Sequence, residues 1–157
     1  MFSNHRMEFR TDDAPVVYWT FPPPIGTQPV MAEFTMADSV TIPRHLRTPE
    51  IRTYMTLAPL KDLDDPDLSP PPATDKSGRS AQTFLVEVAA RVGSQERRAV
   101  ASGRDIYAIT APLVVAATQR VVSMRGKKAG VFAAGEIFDA RDFLKSLCPV
   151  YLTIEIQ

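Results

Sequence analysis

The sequence predicts an α+β domain with a mainly antiparallel or mixed sheet and helices packed on one face. Several short segments are rich in β-branched and aromatic residues, and in some of them apolar and polar positions alternate, as in strands covered on one side. A helical period appears only later, beyond a hairpin. Runs of strands followed by helices are typical of the α+β class.

Length and charge restrict the class of protein further. With 157 residues the chain has the size of one globular domain, and we expect a single domain over 1–157. Eighteen basic residues balance eighteen acidic ones, so no net field attracts nucleic acid or an anionic membrane. No apolar run reaches the roughly 18 residues of a membrane span, and "MFSNHRMEFR" lacks the apolar core of a secretory signal. The sequence predicts a cytoplasmic protein without nucleic-acid or membrane partners.

The chain has one cysteine, Cys148, between Leu147 and Pro149. A lone cysteine forms no internal disulfide, which fits a reducing compartment. Neither a histidine nor a second cysteine is near it in sequence to activate the thiol. We therefore expect Cys148 to be buried.

Prolines punctuate the first half of the chain. Two proline-rich segments, Thr20–Pro29 and Asp64–Ser80, are predicted to be loops, because proline removes a backbone donor and restricts φ. Short extended segments lie around them. The predicted strands are "PVVYWTF" (15–21), "VMAEF" (30–34), "SVTIP" (39–43) and "IRTYMTLAPL" (51–60).

The most regular element is the segment "TFLVEVAARVGSQERRAVASG" (83–103). Glu87 and Arg91 fall on one face of its first arm, and Gly93-Ser94 supplies a turn before "QERRAVAS" returns. The sequence predicts a β-hairpin. The other face of the first arm carries Phe84, Val86, Val88, Ala90 and Val92.

A helix is predicted from Pro112 to Met124, with Thr110 as its N-cap and proline in the first turn. Its apolar stripe has spacings of four, four and three residues. The stripe consists of Leu113, Ala117, Val121 and Met124. The expected C-terminal signals are Arg125, Gly126 and Lys127.

Three more elements are predicted before the end of the chain. "AGVFAAG" (129–135) is expected to be a short strand, and Asp139 caps a helix, "ARDFLKSL" (140–147). Pro149 ends that helix, and the alternation in "VYLTIEIQ" (150–157) predicts a final strand. The buried side of the short helix is expected to be Phe143, Leu144 and Leu147.

Neither a GxGxxG nor a GxxxxGK[ST] motif is present. The strand-to-helix turn Gly103-Arg104-Asp105 has one glycine where a dinucleotide fingerprint has three, so we expect no cofactor to bind this chain alone. Two interpretations of the turn remain open. An anion binds near the helix N-terminus at Thr110 with Arg104, or Arg104 and Asp105 are turn residues and Tyr107 packs on the sheet.

Residues for metal or acid–base chemistry are few. His5 and His45 lie forty residues apart without an accompanying carboxylate or cysteine pattern, so no metal site is predicted. The densest polar cluster is "TIPRHLRTPEIR" (41–52). Its arginines could bind an anionic or carbonyl-bearing ligand, with His45 as acid or donor; alternatively they cover a loop and an exposed strand face.

Four stretches, in this order, resemble the second half of saccharopine dehydrogenase-like oxidoreductases, a group that includes trans-acting enoyl reductases. They are "VTIPRHLRTPEIRTYM", "SGRSAQTFLVEV", "ASGRDIYAITAPLVVAA" and "GVFAAGEIFDARDFLKSL". The resemblance covers roughly Trp19 to Leu152. No one motif is as diagnostic as a metal signature, so it depends on the set and its order.

The resemblance implies a division of labour. Family members carry an N-terminal Rossmann domain that binds NAD(P), followed by an α+β domain that completes the substrate cleft and often pairs subunits through its sheet. This chain matches the second part and lacks the first. We therefore expect a C-terminal substrate-side and oligomerisation domain of an NAD(P)-dependent oxidoreductase, inactive in isolation because nothing in it positions a hydride donor.

The expected partners are a second copy or a Rossmann-domain chain, together with a small-molecule substrate. His45 and Arg44 are predicted to face the cleft as catalytic residues, with Arg104 and Tyr107 as substrate-binding residues. Two alternatives remain open. One is a non-enzymatic dimerisation or ligand-binding module that kept the fold. The other is a small stand-alone enzyme with a pocket under the proline-rich loops and His45 as its acid or base.

Overall fold

The computed structural model describes residues 1–63, 65–67, 69, 71–124 and 129–156. The chain divides into two compact units. Unit 1 comprises Met1–Leu68 and Phe132–Ile137, and unit 2 comprises Ser69–Val131 and Phe138–Gln157. Helices accompany sheets whose strand pairings are all antiparallel within these ranges, which confirms the predicted α+β class. The single domain expected over 1–157 stays a prediction.

The helices and strands follow one another in a mixed order. They are β1 (Phe2–Ser3), β2 (Arg6–Met7), β3 (Val16–Thr20), β4 (Thr27–Met31), α1 (Asp38–Thr41), a 3-10 turn (Ile42–Arg44), β5 (Met55–Thr56), α2 (Leu57–Leu63), β6 (Thr83–Val92), β7 (Gln95–Arg104), α3 (Thr110–Ser123), α4 (Ala134–Ile137), α5 (Ala140–Lys145) and β8 (Leu152–Ile156).

Unit 1 is built on a three-stranded antiparallel sheet in the order β3-β4-β5. The strand predicted at 15–21 is confirmed as β3, and β4 begins earlier than expected, at Thr27. The loop predicted over Thr20–Pro29 is therefore wrong at its ends, since Pro29 lies inside β4 opposite Tyr18. Val30 in β4 is fully buried, so burial of this strand outweighs the unfavourable proline.

Two predicted strands of unit 1 are wrong. Residues 39–43 form α1 and the 3-10 turn, in which Pro43 occupies the first turn, where its restricted φ is helical. Of the strand predicted at 51–60, only Met55–Thr56 pairs along β4, and the chain becomes helical at Leu57. The β-branched residues that suggested strands are overridden because helix and strand preferences are small beside tertiary packing.

Unit 2 contains the predicted hairpin. Strands β6 and β7 pair over ten positions, from Thr83 opposite Arg104 to Val92 opposite Gln95, and Gly93 adopts φ 59° in the turn. Strand β8 pairs with β7 on its other side, which confirms the last predicted strand and gives the order β6-β7-β8. The core of this unit consists of Ile109, Leu147 and Leu152, with Phe84, Leu113, Ala116, Phe143, Cys148 and Ile154 packed around them.

The helices of unit 2 agree only partly with expectation. Asp139 caps α5 as predicted, because its Oδ1 accepts the N–H of Asp142 at 2.8 Å. Thr110 is not the N-cap of α3; Ile109 holds that position without a side-chain bond. The strand predicted at 129–135 is also wrong, since α4, which belongs to unit 1, begins at Ala134. The expected end signals Arg125, Gly126 and Lys127 lie outside the described residues.

Side-chain burial differs from the predicted pattern at several positions. Val121 of the predicted stripe and Leu144 of α5 are exposed, while Ala116 packs against the core. Cys148 is half-buried rather than buried, with its Sγ 3.4 Å from the carbonyl of Leu144. The core is small because three strands and two helices enclose little volume.

Candidate functional site

The predicted catalytic pair Arg44–His45 lies in unit 1, where the 3-10 turn ends. The backbone N–H of His45 donates to the carbonyl of Ile42 at 3.1 Å, which fixes the chain at this point. The imidazole Nδ1 lies 3.1 Å from the carbonyl oxygen of Thr41. Because a carbonyl only accepts, Nδ1 is the donor in this contact.

The other side of the His45 ring lies against the backbone of Gly135 in α4. A Cβ at position 135 would come 2.2 Å from Nε2, closer than two non-bonded atoms can approach. Gly135 therefore makes room for the imidazole. The sequence resemblance included this glycine, but nothing in its spacing indicated contact with a histidine ninety positions earlier.

Glu136 completes this cluster, and sequence reasoning missed it. Its Oε2 accepts from Nε of Arg44 at 3.2 Å and from the backbone N–H of Ala133. The Ala133 N–H, and after it the Arg44 guanidinium, hold the pKa of Glu136 below its ordinary value. The Glu136 side chain is 19% exposed and that of Arg44 is 48% exposed, so the ion pair sits at the surface with the carboxylate partly shielded.

The cluster Arg44–His45–Glu136 brings a guanidinium, an imidazole and a carboxylate together. Such a set can bind a polar ligand, and His45 is exposed to solvent. Arg44 is already engaged by Glu136, so a ligand anion competes with that carboxylate. The roles predicted for Arg44 and His45 stay predictions, now with a carboxylate as their neighbour.

The predicted substrate-binding residues Arg104 and Tyr107 lie in unit 2. Arg104 Nε donates to the carbonyl of Ser80 at 2.9 Å, and its Nη2 pairs with Asp75. The guanidinium thus ties the end of β7 to the loop at 73–80, where Ala73 and Ser80 form an isolated bridge. These contacts favour the interpretation of Arg104 as a turn residue over that of an anion ligand.

Asp105 organises the start of α3, a role that sequence reasoning assigned to Thr110. Its carboxylate accepts the backbone N–H groups of Ser80 at 2.7 Å, Tyr107 at 3.1 Å and Ala108 at 2.9 Å. The Ser80 and Ala108 bonds hold its pKa below the ordinary value. Asp105 adopts φ 59°, which aspartate tolerates better than most residues. An aspartate just before a helix was the signal that could have identified it.

The exposure of Tyr107 does not favour the interpretation in which it packs on the sheet. The residue is 72% exposed. Its backbone N–H donates to the carboxylate of Asp105. Its phenol is accessible to a ligand at the surface of unit 2. Its predicted role in substrate binding stays a prediction.

Unit 2 also exposes apolar side chains on the sheet face that carries its core. Cross-strand pairing places Val86 beside Ala101 and Ile154, and Val88 beside Ala99 and Ile156. We call the exposed part of this face the valine face. It comprises Val86, Val88, Val92 and Ile156, which are 50%, 59%, 80% and 68% exposed.

Helix α3 carries a second apolar surface. Val114, Val115 and Val122 line a shallow groove with Thr118 and Gln119. Its three valines are about half exposed, so α3 carries a small apolar surface of its own.

Among residues 1–63, 65–67, 69, 71–124 and 129–156, no group of three or more histidine, cysteine or acidic side chains is placed to hold a metal ion. In the same ranges, no helix has both the length and the apolar character to cross a bilayer. Comparisons with protein-family models, curated proteins and solved structures found no match to this chain.

Proposed function

We propose that this chain is the substrate-side and oligomerisation domain of an NAD(P)-dependent oxidoreductase similar to saccharopine dehydrogenase. In this proposal unit 2 pairs subunits, the cluster Arg44–His45–Glu136 contacts the substrate, and a Rossmann domain on the same or a partner polypeptide holds the cofactor. The chain's own part is binding and assembly. Hydride transfer depends on the domain that positions the nicotinamide.

The valine face supports the assembly role. It continues the apolar surface that α3 and α5 cover around Phe84 and Leu152, but its own side chains remain half to four-fifths exposed. Exposed apolar area costs about 25 cal/mol per Å² relative to burial. A partner that covers this face recovers that free energy.

Light scattering coupled to gel filtration tests the assembly role. We expect the wild-type chain to be larger than a monomer, and Val88→Asp to weaken association about ten-fold or more, because a charge would enter an apolar contact. Val16→Asp is the matched control, since Val16 is 55% exposed but lies in unit 1. A wild-type chain that stays monomeric at all concentrations contradicts the assembly role.

Cofactor titration tests whether the cofactor site lies on a separate domain. We expect NADPH to leave the melting temperature of the isolated chain unchanged, because the turn at Gly103 lacks the glycines that let a pyrophosphate approach the backbone. A saturable shift at micromolar NADPH would place a cofactor site on this chain and overturn that part of the proposal. We also expect an adjoining reading frame to encode a Rossmann domain.

The valine face equally favours a second candidate, a non-enzymatic module that kept the fold and uses its sheet for dimerisation. The two candidates differ in the neighbouring Rossmann domain. Mixing that domain with this chain should yield NAD(P)H-dependent turnover only for the oxidoreductase. Replacing His45 with alanine should then lower this turnover while leaving the assembly unchanged.

A further inference from the structure

We propose that a second copy of this chain pairs with the outer edge of β6, in antiparallel register about a two-fold axis at Ala89, to form one continuous six-stranded sheet. The inference rests on the proposed assembly role and names its partner and geometry. It is drawn from the length of the edge, its lack of protection and the residues that the register brings together.

Strand β6 is a long edge that lacks most of the features that protect edges. It pairs with β7 through ten consecutive positions, and no other strand in the described part of the chain pairs with its second side. Its sequence, TFLVEVAARV, contains neither proline nor lysine, and the pairing has no bulge. Prolines, lysines and bulges are features with which proteins commonly protect sheet edges from unwanted partners. The opposite edge of the sheet, β8, has five residues.

The two faces of β6 restrict the register. In antiparallel strands, residues that lie directly opposite each other point to the same face of the sheet. An axis located between two residues would place the valines of one copy beside the charged side chains of the other. The axis must therefore pass through a residue, which keeps the valine faces of both copies on one side.

The charges select among the remaining registers. An axis at Ala89 places Glu87 opposite the partner's Arg91, and by symmetry this pair occurs twice. An axis at Val88 or Ala90 leaves both charges opposite uncharged residues, whereas an axis at Glu87 or Arg91 faces two like charges. Opposite charges across strands are favourable, and like charges are unfavourable.

The same axis aligns the apolar side chains. Val86 comes to lie opposite the partner's Val92, and Val88 opposite the partner's Ala90. On the polar face, the Glu87 side chain is 3% exposed and already paired with Arg98 at 2.8 Å, and Arg91 is paired with Glu96. The partner's Arg91 would therefore lie beside a shielded carboxylate that already has a partner, so these charges contribute to register rather than to affinity.

Disulfide trapping tests the register in the full chain. In a Cys148→Ala background we expect Ala89→Cys to form a disulfide-linked dimer under mild oxidation, because residue 89 alone faces itself across the axis. Ala90→Cys is the matched control; it is exposed and one position away, but it faces the partner's Val88. We expect about ten-fold more trapped dimer for Ala89→Cys, given the short Cβ–Cβ distance that a disulfide needs.

Light scattering on the untrapped chain separates this inference from the assembly role. A dimer in solution that Ala89→Cys does not trap, or that Ala90→Cys traps better, overturns the proposed edge and leaves the assembly role standing. A monomer in solution overturns both. Far-UV circular dichroism is the check that each variant is folded. Hydrogen exchange on the wild-type chain tests the same edge without any substitution. Protection of β6 amides that increases with protein concentration would support pairing at this edge.

Discussion

The imidazole of His45 lies directly against the backbone of Gly135, so that a methyl group added at position 135 would come 2.2 Å from Nε2. This contact joins the end of the 3-10 turn to α4. It holds the histidine beside the Arg44–Glu136 ion pair. The geometry of the candidate site therefore depends on a residue without a side chain.

Replacing Gly135 with alanine should displace the His45 ring and break its Nδ1 bond to the carbonyl of Thr41. Because His45 is exposed, the ring can swing into solvent, and we expect a small loss in the free energy of unfolding, about 1 kcal/mol, the lower end of overpacking costs. The clearer result is a shift of the imidazole resonances in NMR. Unchanged resonances in the alanine variant would contradict the contact.

A double-variant cycle provides the control for this prediction. His45→Ala removes the ring, so Gly135→Ala should cost almost nothing in that background. If Gly135→Ala lowers the free energy of unfolding equally in both backgrounds, the glycine is needed for α4 itself and not for the contact with His45.

Replacing Gly103 with alanine should destabilise unit 2. Glycine to alanine within a strand ordinarily stabilises by roughly 0.5–1 kcal/mol. Here a Cβ would lie 2.8 Å from the Phe84 ring and 3.0 Å from the backbone oxygen of Tyr151. Because backbone cannot easily move aside, overpacking of about 1–3 kcal/mol should outweigh the gain. Urea unfolding measures the difference, with Ser102→Ala as the neighbouring control; a more stable Gly103→Ala chain would contradict the prediction.

Acid should remove the contribution of Asp75 to stability. The Ser77 hydroxyl, followed by the backbone N–H groups of Arg79 and Ser77 and the charge of Arg104, lowers the pKa of Asp75 from its ordinary 3.8 to about 2. A depressed pKa in the folded state adds stability that is fully present above the ordinary value and is lost as the pH falls through about 2. The relevant window therefore lies below pH 4.

Asp75→Asn keeps the shape of the side chain and removes its charge. We expect the variant to unfold at a lower urea concentration than wild type near neutral pH. The difference between the two urea midpoints should shrink as the pH falls below about 4 towards 2. The exposed Asp13→Asn serves as a control for general charge effects. A gap that stays constant down to pH 2 would show that Asp75 does not contribute through its charge.

Replacing Asp105 with alanine should loosen the start of α3. The change leaves three backbone N–H groups without their acceptor and puts alanine at a positive φ. Asp105→Asn should cost less, since asparagine also adopts this conformation and retains one oxygen. Hydrogen exchange at Ser80, Tyr107 and Ala108 measures the effect at each bond. Equal exchange in all three proteins would contradict a capping role.

Elements whose signals are local were predictable. The hairpin of β6 and β7 has alternation, a glycine turn and β-branched residues within a few positions of one another, and the bond from Asp139 to Asp142 spans three residues. The segment at 39–43 was mispredicted because its β-branched residues favour a strand only weakly, and the helical turn around Pro43 outweighed them. Local preference decides an element where nothing distant opposes it.

The candidate site was predictable only in part. Arg44 and His45 stood out as a polar cluster, whereas Glu136 lies 92 positions from Arg44 and carries no sequence mark of the pairing. Arg104 was singled out for a ligand, but its guanidinium binds the loop at Ser80 and Asp75. Which charges meet is a property of the folded chain, because ion pairs form between residues at any separation in sequence.

By itself the sequence determined the α+β class, the hairpin, the capped helix α5 and the presence of apolar residues on one face of β6, since each follows from periodicity and local backbone chemistry. The tertiary structure alone decided how far α3 and α5 extend over that face. They cover Phe84 and Leu152 and leave Val88 and Val92 exposed. The sequence of an alternating strand is the same whether or not a helix covers its apolar face. Burial of that face depends on the elements that pack against it and not on the strand itself.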